Sequence, residues 1–259
     1  MKEWMIEYSA ASGKGKRLEN QDNLRVGNML TWVDTTRDFA ASGVLDAGAH
    51  QLVCVCDGIG GGFMGDCAAM VALKAIDETA GAPNAVHGDL DRLVTDAAEA
   101  AHYAVSSFLR RMGRSGGCTL TLVGISEGRF VCLNIGDSPC FLLREGQQLR
   151  ELSVRHNLYW HKLRMQVEPA PRDAHYLMRF VGKANCSVAL MADRVSGTLE
   201  PGDRIVLCSD GVTNAIGAEA MTERLRSGAD AEKLVLEAAA REGADNCTAV
   251  VLKVCGRTE

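Results

Sequence analysis

Five aspartates, each set among glycines or amides, punctuate the chain: Asn20-Gln21-Asp22, Asp57-Gly58-Ile59-Gly60-Gly61, Gly136-Asp137-Ser138, Ser209-Asp210-Gly211 and Asp245-Asn246. Several stand where a hydrophobic run stops. An ionised carboxylate beside a core is costly unless a cation compensates it. Hard divalent cations are the natural compensation, because Mg²⁺ and Mn²⁺ prefer oxygen ligands in octahedral geometry, and a few Asp side chains plus a backbone carbonyl can build a two-metal site. Any one of these motifs alone reads as a turn, where Asp and Gly are favoured. All five together argue for one shared site, in which Gly lets backbone approach a ligand closely.

The elements that must position these residues are partly readable. Gln51 to Cys56 is a nearly continuous apolar run stopped by Asp57-Gly58, as in a buried strand. Residues 66 to 79 (Ala68, Ala69, Ala72, Ala75, Ile76) and 89 to 111 (Leu93, Ala97, Ala100, Ala101, Ala104, Phe108) have helical spacing. From Cys118 the period falls to two, and Thr119 to Ile125, Phe130 to Ile135 and Cys140 to Leu143 read as an antiparallel meander. A buried strand over 204–208, helices over 217–226 and 231–242 with Asp230 as N-cap, and a strand from Cys247 to Val254 follow. Sheets covered by helices are the expected architecture. With 259 residues, no Pro/Ser-rich linker and aspartates spread from 22 to 245, residues 1–259 read as a single domain.

Composition narrows the function classes. A net charge of −5 without a long basic run argues against nucleic acid as partner. No apolar stretch of about 20 residues is present to span a membrane, and the start, Met1 to Glu7, is broken by acids, unlike a signal peptide. Several of the ten cysteines (Cys54, Cys56, Cys132, Cys208) sit in apolar runs, where a thiol acts as a small hydrophobe. A reduced, cytoplasmic protein is expected. The glycine-rich stretch after Asp57 lacks the Gly-Lys-Ser/Thr of a nucleotide loop, and the six histidines show no zinc spacing. No cysteine stands in a Cys-to-Arg phosphate loop.

Taken in order, the motifs resemble those of the metal-dependent serine/threonine protein phosphatases of the PPM (PP2C-like) class, in their compact bacterial form. The resemblance runs from about Gly13 to Val254. Arg17-Leu18-Glu19-Asn20-Gln21-Asp22 resembles the family's R-x-x-N-Q-D, and Asp57-Gly58-Ile59-Gly60-Gly61 its D-G-x-G-G. Ser115-Gly116-Gly117-Cys118-Thr119 is similar to S-G-T-T, Asn134-Ile135-Gly136-Asp137-Ser138 to N-x-G-D-S, Ser209-Asp210-Gly211-Val212 to S-D-G-L, and Asp245-Asn246-Cys247-Thr248 to D-N-x-T.

The resemblance implies an α+β fold, an αββα four-layer sandwich of two antiparallel sheets flanked by helices, with metals in a cleft at one sheet edge. It implies two ions of Mn²⁺ or Mg²⁺, with Asp57 bridging them, the Gly58 carbonyl on the second, and Asp210 and Asp245 completing the first. Asp22 would hold metal-bound water. Asp137 would face a third, weaker position that Asp210 could share. The implied substrates are phosphoserine and phosphothreonine proteins, opposite a Ser/Thr kinase, and the implied state is a monomer. Hydrolysis would proceed by a metal-bridging hydroxide without a phosphoenzyme, two ions overcoming the weakness of water as nucleophile. Arg17 would hold the phosphoryl oxygens with its charged fork.

Three departures stand out: Pro139 follows Gly-Asp-Ser where members often carry Arg, Asp66 replaces the usual Glu after the glycine-rich loop near the metal shell, and Ile59 stands where eukaryotic members have His. Ile59 has no proton to give a leaving alkoxide, which must then take one from metal-bound water. Two other functions fit the same fold: a pseudophosphatase serving as a binding module, and a hydrolase of small phosphoesters. By the same resemblance, residues 155–183 would fall where the family often places a variable flap beside the cleft. They hold six Lys and Arg (Arg155, Lys162, Arg164, Arg172, Arg179, Lys183) against Glu168 and Asp173, with His161 among them. Arg155, His161, Lys162 and Arg164 are therefore expected to favour phosphopeptides with acidic flanks.

Overall fold

The computed structural model describes residues 4–30, 38–47, 49–60, 64–82, 85 and 89–257; Gly61, Gly62 and the first three residues lie outside this set. The chain opens with β1 (Trp4–Gly13), β2 (Asp22–Val26), β3 (Met29–Leu30), β4 (Phe39–Asp46) and β5 (Gln51–Ile59), then helices α1 (Met64–Ala80) and α2 (Leu90–Met112). Strands β6 (Gly117–Cys118), β7 (Leu120–Ser126), β8 (Arg129–Ile135), β9 (Cys140–Leu143) and β10 (Arg150–Glu151) follow, then α3 (Leu158–Arg164), a 3₁₀ turn over Pro171–His175 and α4 (Val188–Met191). Strands β11 (Asp193–Thr198) and β12 (Arg204–Cys208), helices α5 (Asp210–Ile216), α6 (Ala218–Arg226) and α7 (Ala231–Ala239), and β13 (Cys247–Arg257) complete it.

Two antiparallel sheets result, ordered β10-β9-β12-β13-β1-β4 and β11-β8-β7-β5-β2-β3, with β6 beside β5. Period-two side chains explain the layering. In β5, Val53 and Val55 join Ile205, Leu207, Val250 and Leu252 between the sheets, while Leu52, Cys54 and Cys56 face the helical side with Ala68, Ala72, Ile76, Val94 and Ala98. On the far side, Val206, Cys208 and Val251 pack with Met221, Leu225, Leu234 and Ala238 of α6 and α7. Three cores between four layers make the expected αββα sandwich.

The continuous apolar run at 51–56 is thus a strand buried on both faces. Alanines on α1 shorten side chains where it packs on α2. Asp89 caps α2, its carboxylate accepting from the Asp91 N–H, and Asp230 caps α7 by accepting from the Lys233 N–H. The buried stripe of α2 runs through Val94, Ala98, Val105 and Leu109, beside the expected Leu93, Ala97 and Ala101; Ala100, Ala104 and Phe108 are only partly buried.

One expectation fails. Strands β7 and β8 pair as a hairpin, but β9 belongs to the other sheet, where it pairs with β12 and β10. Gly136, at φ +119°, and the following Asp137-Ser138-Pro139 carry the chain across between sheets. A Cβ at Gly136 would lie 2.6 Å from the Thr119 side chain, so glycine suits the crossing sterically as well. This sheet change puts Asp137 between the end of β8 in one sheet and the start of β9 in the other.

Candidate active site

Asp22 and Asp57 are direct cross-strand partners at the ends of β2 and β5. The strand register alone therefore brings two of the five carboxylates together. The Thr119 hydroxyl accepts from the Asp57 N–H at 2.9 Å, and the Thr119 N–H donates to the Asp57 carbonyl at 2.8 Å. Gly58 follows in a cramped place: a Cβ there would meet the Gly65 carbonyl group at 2.4 Å and the Gln21 carbonyl oxygen at 2.8 Å.

The other three aspartates arrive on separate elements. Asp137 lies on the sheet crossing, where the Asn157 side-chain amide donates to its Oδ2 at 2.9 Å. Asp210 starts α5, and Asn214 one turn later donates to its carboxylate at 3.2 Å. Asp245 precedes β13 and pairs with Arg17, Nη2 to Oδ2 at 2.7 Å.

Polar side chains brace this ring. Ser209 Oγ–H donates to Asp22 Oδ2 at 2.7 Å while accepting from the Thr248 N–H at 3.0 Å. Asn20 accepts from the Asp22 N–H at 3.1 Å and donates to Ser12 at 2.8 Å. Asn246 accepts from the Gln21 N–H and donates to the carbonyls of Lys14 and Glu19, which fastens the Arg17 loop beside Asp245. The sequence motifs contain Asn20, Ser209 and Asn246, but their bracing roles emerge only here; an amide directly beside a chemistry-bearing Asp is the available signal.

Electrostatics mark the place. Burial pushes the Asp57 carboxyl well above the ordinary range, and the negative fields of Asp22, Asp210, Asp137 and Asp245 push it further. Burial raises Asp22 to about 6 against the hydrogen bond from Ser209, and raises Asp210 to about 7 with help from Asp137 and Asp245. Asp137 is raised by burial too, opposed by Asn157 and the Arg155 charge. Uncompensated negative charge accumulates around Asp57.

This charge is what a cation would relieve. Asp22 Oδ1 is a buried acceptor with no hydrogen-bond partner among the described residues, and the donor set is all hard oxygen. Among the described residues no three such side chains converge on a single point. Asp22, Asp137, Asp210 and Asp245 each lean on a protein donor, and Asp245 would have to turn from Arg17 before ligating. By donor chemistry and charge the residues fit divalent cations.

The cleft over these groups has a volume of about 730 Å³ and is lined by Arg17, Asp57, Gly58, Ile59, Asp137, Asp210 and Asp245. Asp22 lies fully buried behind it. On the flap side the lining is Ala174, His175 and Leu177. Arg155, His161, Lys162 and Arg164, expected there, are not among the lining residues. Arg155 forks onto Glu151 at 2.8 and 3.2 Å and lies 4.9 Å over the Trp160 ring, Lys162 pairs with Asp173 at 2.8 Å, and Arg164 donates to the Arg155 carbonyl. Asp66 likewise lies outside the lining, in the first turn of α1, accepting from the Cys67 N–H. All ten cysteines are free thiols.

Comparison with known proteins matches this picture. A family model described as protein phosphatase 2C matches residues 34–246. The serine/threonine protein phosphatase PstP of Mycobacterium tuberculosis is 30% identical over 263 residues, covering 96% of this chain and 45% of that protein, so the chain spans just under half of this relative. The serine/threonine phosphatase Stp of Listeria monocytogenes is 28% identical over 222 residues, 79% of this chain and 84% of its own. The crystal structure of the catalytic domain of PstP in complex with two manganese ions superposes with a TM-score of 0.76 at 24% identity, over 97% of this chain and all of that one. By the family match and its length, the chain belongs to the protein phosphatase 2C family.

Proposed function

We propose that this chain is a phosphatase that hydrolyses phosphoserine and phosphothreonine in proteins with Mn²⁺ or Mg²⁺ as cofactor. The observation that carries the proposal is the crowding of four further carboxylates around Asp57 beneath a cleft with an exposed guanidinium at its mouth. Asp57, the Gly58 carbonyl, Asp210 and Asp245 would hold two cations, and Asp137 would help to hold a third, weaker one. Asp22, held by Ser209, would orient water beside them. When bound, the cations would activate a water for direct attack on phosphorus and offset the phosphoryl charge.

The chain's own residues supply the rest. Arg17, with 61% of its side chain exposed, is free to swing from Asp245 to a phosphoryl group, where its fork matches two oxygens. Ile59 lines the cleft without a proton to give, so the departing alkoxide would have to take its proton from water or another cleft group. Ten unpaired thiols suit a reducing compartment. Among the described residues no helix is long and apolar enough to cross a membrane. A Ser/Thr kinase would generate the substrates.

The test is Mn²⁺-dependent phosphate release from phosphoserine and phosphothreonine peptides beside a panel of small phosphoesters, for the wild type and Asp57→Asn. Peptide turnover that needs both Mn²⁺ and Asp57 supports the proposal. No turnover at saturating Mn²⁺ would leave a binding module, and a strong preference for small esters would leave a metabolite phosphatase.

A further inference from the structure

Asn157, at the root of the flap, is buried and uses both ends of its amide. Its Oδ1 accepts from the Trp160 N–H at 3.0 Å and so caps α3, while its Nδ2–H donates to Asp137 Oδ2 at 2.9 Å. We infer that Asn157 is a positioning residue for Asp137, clamping that carboxylate to the first turn of the flap helix. The inference rests on the proposed cation role of Asp137.

The surrounding bonds form one continuous brace. The His156 N–H donates to the Gly136 carbonyl at 2.9 Å, and the Gly136 N–H donates back to His156 Nδ1 at 3.0 Å. With Nδ1 accepting, the ring proton sits on Nε2 and points at Asp193 Oδ2, 2.6 Å away. Arg179 Nη1 donates to the same Asp193 oxygen at 2.9 Å and to the Met191 carbonyl at 3.2 Å. From the strand side, Asn134 Nδ2–H donates to the Gly136 carbonyl at 3.0 Å. The loop needs such support because Gly136 sits in a conformation that few side chains adopt and that fixes little by itself.

The identity of residue 157 is the sharpest clue. Ser, Thr or Asp would cap α3 equally well, since a cap needs only an acceptor. Gripping Asp137 at the same time requires a donor that reaches its carboxylate. Asp would oppose Asp137, and the hydroxyl of Ser or Thr would have to serve both partners from one atom set closer to the backbone, whereas the Asn amide offers a separate atom to each. Asn does both.

This separates capping from positioning experimentally. The full chain is stripped of metal with chelator and titrated calorimetrically with Mn²⁺ as wild type, Asp137→Asn, Asn157→Ser and Asn157→Thr, with thermal melts alongside. Asn157→Ser and Asn157→Thr are expected to keep the fold and the tighter binding steps, and to weaken the weakest step about tenfold, as loss of a group supporting a ligand does. Turnover of a small phosphoester should fall in parallel and recover at high Mn²⁺ with KM unchanged. If Asp137→Asn weakens that step while both Asn157 variants bind as wild type, Asn157 is merely a cap and the inference fails. If Asp137→Asn itself changes no step, the cation role of Asp137 fails and the inference with it. Unfolding of both Asn157 variants would likewise overturn it, showing a residue required for the fold.

Discussion

Replacing Arg17 with Ala sets two effects of different size against each other. Arg17 pairs with Asp245, the two side chains being 61% and 46% exposed. A pair so open to water contributes at most about 1 kcal/mol. Removing it frees Asp245 for a cation, so Mn²⁺ affinity is expected to stay level or rise by no more than about fivefold, at 1.36 kcal/mol per decade. A charge-assisted hydrogen bond to a phosphoryl group contributes about 1.5 to 3 kcal/mol. Its loss should therefore lower kcat/KM for a phosphopeptide by about 10- to 150-fold at saturating Mn²⁺. Arg17→Lys should recover only part, because it restores the charge without the fork. Initial rates across substrate concentration, with a separate calorimetric Mn²⁺ titration lacking substrate, measure both quantities. A kcat/KM within twofold of wild type would remove Arg17 from phosphoryl binding. A large fall in Mn²⁺ affinity would instead make it a support for the metal cradle.

Asp57→Asn should abolish turnover at any practical Mn²⁺ concentration, whereas Asp137→Asn should be milder and partly rescued by excess metal; comparable losses in both would contradict the assigned roles. Burial holds Asp22 at about 6 and Asp210 at about 7, above the ordinary carboxylate value of 3.8. Groups raised on folding bind more protons in the native state, so the metal-free melting temperature should fall as pH rises from about 4 to about 7. Mn²⁺ should then raise the melting temperature more at pH 8 than at pH 5, and a pH-independent metal effect would show that these carboxylates are not the ligands. On the flap, Arg155, Lys162 and Arg179 are already paired with Glu151, Asp173 and Asp193. Changing substrate flanks from Ala to Asp should hence raise kcat/KM by less than about threefold at low salt. A steep gain that vanishes in high salt would restore electrostatic selection by this segment.

What the chain discloses as a string and what only folding discloses divide along a physical line. Spacing is local, so the helical periods of α1 and α2, the buried run of β5 and the aspartates at strand ends are all legible before any coordinate. Strand partnership is not local. The apolar run at Cys140 to Leu143 reads as the third strand of a meander because alternation records which faces are buried, not which sheet does the burying; Gly136 to Pro139 then carries it to the other sheet. Strands β1 and β4 escape the same reading because Ser9-Ala10-Ala11-Ser12 and Ala40-Ala41-Ser42-Gly43 are too small and polar to show a hydrophobic rhythm, although they pair along nearly their whole length. The flap shows the limit most clearly. Within residues 155–183 cations outnumber acids by six to two, yet two of the acids that neutralise them, Glu151 and Asp193, lie just outside that window. A count of charge within a segment measures its field only if the partners lie in the same segment. Here Glu151 of β10 and Asp193 of β11 take up Arg155 and Arg179 from outside the segment, and Asp193 also receives His156 beside the Asp137 loop.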